Sequence, residues 1–145
     1  SAASDVYKRH TTYCDMMKID KWTVFSQIEQ ESDFTYKALG TSGEIGMAQI
    51  MPSTANYILA LSNLSKLQNK DELYSPDINI FIQVKYLSFL GNNMAKKLLC
   101  YNQGTVHHSM TYWQIRKTRY VNGVFHKRNK FKKSYKKYIK TEIGG

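Results

Sequence analysis

The chain of 145 residues is 42% hydrophobic and 13% aromatic, which excludes a disordered segment and suits one domain over 1–145 with a real core, expected to act as a monomer. No apolar run approaches the ~20 residues that cross a bilayer, so no transmembrane segment is expected, and Ser1 opens neither a signal peptide nor an initiating Met, as in a mature or excised form. The formal net charge of +10 is local: residues 1–115 hold ten Lys/Arg and ten Asp/Glu, whereas residues 116–145 hold eleven Lys/Arg and one acid, Glu142, implying an anionic partner near the C-terminus.

Residues 5–17 predict a first helix, with Val6, Tyr7, Tyr13, Cys14 and Met17 on its apolar side. Asp20 is a good N-cap for a second, in which Trp22, Val24, Phe25 and Ile28 precede Glu31. Gly40, Gly43 and Gly46 exclude regular helix from the next stretch. Pro52 fits the first turn of a third helix through Ala55, Ile58, Leu59 and Leu61. Residues 62–75 read as a polar connection with a short turn.

From Pro76 the pattern is ambiguous. Ile78, Ile80, Ile82, Val84 and Tyr86 alternate with Asn79, Phe81, Gln83 and Lys85, which is a strand period, yet a lone strand among helices has nothing to pair with. Gly91 ends this element, and Asn93 caps a helix through Met94, Leu98 and Leu99 into Tyr101. A short helix is expected over 110–115. The last element, residues 130–139, carries Phe131, Tyr135, Tyr138 and Ile139 at helical spacing with lysines opposite, an amphipathic helix.

The stretch that carries chemistry runs from Val24 to Asn56. A carboxylate at the inner end of an apolar helix, facing a glycine-rich loop, suits a general acid working on an extended polar substrate. The pieces Ile28-Glu29-Gln30-Glu31-Ser32, residues 41–55 (TSGEIGMAQIMPSTA) and residues 99–104 (LCYNQG) occur in order at sensible separations. Together they resemble the soluble lytic transglycosylase family, relatives of the goose-type lysozymes, from about residue 20 to 104.

The resemblance implies an all-α, lysozyme-like fold, resolves the ambiguous element after Pro76 as a helix, and requires no cofactor. It implies cleavage of bacterial peptidoglycan between N-acetylmuramic acid and N-acetylglucosamine, with Glu31 as acid and then base. Tyr101 would support Glu31. Ser32, Gly43, Gly46, Gln49 and Asn102 would shape the groove or hold the glycan. For Ser32 a turn role is equally apt, and for Gln49 a loop-to-loop bond. Glu29 should point away from the Glu31 face.

The chain departs from the family pattern at several points. Gly40 stands where a serine is frequent. Gly46-Met47-Ala48-Gln49 replaces Gly-Leu-Met-Gln, and Gln83 stands where a glycine is frequent. The segment after Tyr101-Asn102 is short and lacks the usual Pro-Gly. Residues 134–139 align with Glu-Thr-Arg-x-Tyr-Val, so an acidic residue is missing there.

Other chemistries are poorly served. His107 and His108 are adjacent and have no third ligand at metal spacing, so no metal is expected. Cys14 and Cys100 are expected as buried thiols, with one long-range disulfide as the alternative. The basic segment with Phe125, Phe131, Tyr135 and Tyr138 could bind nucleic acid, but helical spacing of the aromatics favours their burial. The outward lysines would then be attracted to an anionic envelope. The expected site of action is outside the cytoplasm, in periplasm or cell wall, or on a virion for a phage-encoded chain. A muramidase adding water on the same scaffold, with Asp33 and Glu44 as nearby carboxylates, and a non-catalytic wall-binding module are the alternatives.

Overall fold

The computed structural model describes residues 2–104 and 109–142, with side chains over 7–104 and 109–135. His107 and His108, and the side chains of Tyr138 and Ile139, lie outside the described residues. The elements are α1 (Ala2–Met17), α2 (Lys21–Ser32), α3 (Pro52–Leu61), a 3₁₀ turn (Lys70–Tyr74), α4 (Pro76–Phe89), α5 (Met94–Gln103), α6 (Tyr112–Arg116) and α7 (Arg119–Glu142). Sheet pairing among the described residues is limited to isolated bridges, Leu39 with Ile45 and Ile45 with Ile50. The fold is all-α.

The caps read from sequence are in place. Asp20 accepts the Trp22 N–H at the start of α2, and Asn93 accepts the Lys96 N–H at the start of α5. Pro52 and Pro76 occupy the first turns of α3 and α4.

The α4 alternation is a product of burial on several sides. α1, α3, α5 and the 3₁₀ turn all pack on this helix. Ile80, Ile82 and Val84 are therefore buried together with Asn79, Gln83 and Leu87 of the opposite parity. A helix enclosed this way loses its 3.6-residue stripe, and a period-two coincidence in the isoleucines stands out instead.

The expected last helix, 130–139, is a correction: α7 begins at Arg119. Its first turns bury Val121, Val124 and Phe125. The interior Gly123 obscures the start in sequence. It faces α2, where a Cβ would meet the end of the Gln30 side chain at 2.8 Å. Phe131 and Tyr135 turn toward α2, the former 6.4 Å from Phe25 and the latter 4.9 Å from Trp22, ring centre to ring centre. Lys130 and Lys133 face solvent.

Two fully buried α2 residues, Val24 and Ile28, anchor the helix, each worth about 1.5–3 kcal/mol of burial. Cys14 and Cys100 are buried and unbridged. Among the described residues no helix is long and apolar enough to cross a membrane.

Candidate functional site

Helix α2 delivers Glu31 to a groove and then stops. Asp33 and Phe34 both take left-handed backbone, at φ 50° and 60°, and turn the chain away. Ser32 ties this end to the glycine loop: its hydroxyl donates to the Met47 carbonyl at 2.7 Å and accepts the Thr35 N–H. The loop is held from below by Asn79, which is fully buried in α4. Its amide oxygen accepts from Ala48 N at 2.8 Å, and its Nδ2 donates to the Ile45 and Leu73 carbonyls. Gly46, at φ 83°, lies directly on that amide, where a Cβ would collide with Asn79 Nδ2.

The groove so formed has a volume of about 400 Å³ and is lined by Gln30, Glu31, Glu44, Gln49, Ile50, Met51, Thr54, Tyr86 and Tyr101 through Gly104. Of the residues singled out in sequence, Glu31, Gln49, Tyr101 and Asn102 are brought together on its walls. Ser32, Gly43 and Gly46 are not on the wall; Ser32 and Gly46 act behind it, and the half-buried Gly43, at φ 97°, turns the hairpin where a Cβ would meet open space. Gln49 directs its amide donors into the loop, to the Gly46 and Ala38 carbonyls. Its loop-to-loop bonding is thus realised. Tyr101 donates to the Ala48 carbonyl at 2.8 Å, and its ring lies 5.0 Å from that of Tyr86.

Glu31 is pushed up to about 7, chiefly because burial disfavours its charged form; a hydrogen bond from Tyr120 opposes the shift and the nearby charge of Glu44 adds to it. The Tyr101 and Tyr120 phenols are raised well above the usual range by burial and by the charge on Glu31, so both remain neutral donors.

Tyr120 is the residue that sequence reading missed. Gln83 Nε2 donates to Gln27 Oε1 at 2.8 Å, and Gln27 Nε2 donates to the Tyr120 hydroxyl at 3.0 Å. The Tyr120 hydroxyl in turn donates to Glu31. Three helices thus contribute to one relay ending on the carboxyl. Gln27 is four residues before Glu31, one helical turn away, and that spacing was the available signal. Gln83, the departure from the expected glycine, is the far end of the relay.

At the start of α7 it is Tyr120, beside Glu31, that reaches the site, while the side chains of residues 138–139 lie outside the described residues. Residue 134 lies about 20 Å further along α7 than its first turn. Just before α7, the Arg116 guanidinium lies 4.0 Å over the Phe125 ring.

The sequence model of the transglycosylase SLT domain matches residues 11–143, nearly the whole chain. The chain belongs to the transglycosylase SLT domain family. This SLT domain is 29% identical over 107 residues to the soluble lytic murein transglycosylase of Escherichia coli K12, and equally to that of Salmonella typhimurium. Each match covers 71% of this chain and 16% of the relative, so the chain spans about a sixth of the length of these curated relatives. Among solved structures, the lytic transglycosylase Slt of Pseudomonas aeruginosa superposes with a TM-score of 0.74 at 20% identity, covering 90% of this chain and 24% of that one. The 70-kDa soluble lytic transglycosylase of E. coli gives 0.65 at 22%, over 83% of this chain and 19% of that one. At these identities the structural likeness speaks for the shared fold.

Proposed function

We propose that this SLT domain is a peptidoglycan lytic transglycosylase. Glu31 donates its proton to the oxygen linking N-acetylmuramic acid to N-acetylglucosamine as the bond from C1 to that oxygen breaks. The resulting carboxylate takes the proton of the muramic acid C6 hydroxyl. That oxygen closes on C1 to form a 1,6-anhydro ring, and Glu31 is again protonated. No water enters.

The observation that carries this reading is a carboxyl in an open groove whose burial keeps its proton up to about pH 7, with a neutral phenol donating to it. Such a group is a competent acid at neutral pH and a competent base one step later. Tyr101 braces the loop wall opposite and Gln49 ties the loop to itself, while Asn102 on the groove wall would meet sugar substituents. A solved relative is described as an inactive glutamate-to-glutamine mutant, which agrees with dependence on one glutamate.

The glycan strand is the proposed partner, reached on the extracytoplasmic side of the envelope or from a virion. The solvent-facing Lys130 and Lys133 on α7, with Phe131 and Tyr135 turned toward α2, suit attraction to an anionic envelope surface over base stacking. The test is release of soluble muropeptides from purified peptidoglycan. Wild type should release them and Glu31→Gln should not, while both sediment with the insoluble wall; release by the Gln variant would refute the assignment.

A further inference from the structure

We propose that Glu44 is a second working carboxylate of the groove, whose negative charge stabilises the positive charge that develops on the sugar ring as the glycosidic bond breaks. The inference rests on the glycosidic reading of the groove given above.

Glu44 follows a tight hairpin turn in which Gly40 N donates to the Glu44 carbonyl at 2.7 Å and Gly43 N donates to the Gly40 carbonyl at 3.1 Å. The next residue, Ile45, is 2% exposed in the core. Glu44 therefore projects to the other side of the hairpin, where it lines the same cavity as Glu31. The chain makes room for it: a Cβ at Gly40 would collide with Glu44 Oε2 and stand 2.7 Å from Gln49 Oε1.

Among the described residues no cation pairs with Glu44; its Oε2 accepts the Ser42 N–H at 3.3 Å. Turn bracing alone would require an acceptor and no charge. A charge held in the groove without a cation beside it is instead available to the substrate. Bond cleavage passes through an oxocarbenium-like state, and a fixed anion facing it favours that state over the neutral ground state. The groups facing Glu31 are Tyr120 from α7, Tyr101 from α5 and Tyr86 from α4, all phenols, so Glu44 supplies the charge that adds to burial in holding the Glu31 proton.

The variant Glu44→Gln keeps the size of the side chain and an acceptor for Ser42 while removing the charge. Assayed for muropeptide release against pH beside wild type, Glu31→Gln and Glu44→Asp, it should lose about tenfold or more in maximal rate with little change in half-saturation. Its alkaline limb should move to lower pH, and Glu44→Asp should keep part of the rate. Wild-type rate and pH profile in both Glu44 variants would overturn the role of Glu44 and leave the assignment of Glu31 standing. No release by wild type, or full release by Glu31→Gln, would overturn the functional reading and this inference with it.

Discussion

Replacing Glu31 by Gln should stabilise the protein, and only at neutral to alkaline pH. Below pH 4.5 the carboxyl is protonated in both the folded and the unfolded chain, so the wild type carries no penalty. Between 4.5 and about 7 the unfolded chain releases its proton while the folded one retains it. Stability therefore falls as pH rises through that window, and the deficit is complete above it. At about 1.4 kcal/mol per pH unit the gap amounts to about 3 kcal/mol. In a chain of this length that corresponds to roughly 10 °C in Tm. Thermal unfolding followed by circular dichroism at pH 4 and pH 8.5 would give nearly equal Tm values at the lower pH. At the higher pH the Gln variant should lie roughly 10 °C above wild type. Buried His10, held down to about 4, titrates in both proteins and cancels in the difference. Parallel Tm curves across the range would refute the claim that the fold holds Glu31 at an energetic disadvantage.

Tyr120→Phe removes the donor to Glu31 and leaves Gln27 Nε2 buried without its acceptor, which should cost about 1–3 kcal/mol in denaturant unfolding. Because that hydrogen bond opposes the upward shift of Glu31, the alkaline limb of muropeptide release should move to higher pH. Gly46→Ala places a methyl group against Asn79 and the Leu73 carbonyl at φ 83°, and should lower stability by about 3 kcal/mol or more in urea titration. Cys14, its thiol pushed up to about 12 by burial, and Cys100 should both count as free thiols under denaturing, non-reducing conditions, and should react slowly in the native protein.

The parts of the site that could be read from sequence are those set by neighbours in the chain. Glu31 ends a capped apolar helix, Gly40 to Gly46 exclude helix, and Tyr101-Asn102 closes another helix. Each is a local pattern, and the groove brings them together. What sequence concealed depends on tertiary contact. Tyr120 reaches Glu31 through the packing of α7 on α2, and Gly123 near the start of α7 hid the beginning of that helix. Gln27 and Gln83 look like ordinary polar residues until both are found fully buried and bonded to each other. The strand-like pattern after Pro76 was settled by the family resemblance, because a helix enclosed on several sides has no single apolar stripe to display.

The central claim is that Glu31, acting as acid and then as base, cleaves the glycan without water, and mass spectrometry of the muropeptides released by wild type tests it most directly. The account predicts products ending in 1,6-anhydro-N-acetylmuramic acid, absent from digests with Glu31→Gln. Products with an ordinary reducing end, heavier by one water, would contradict it and make the protein a muramidase.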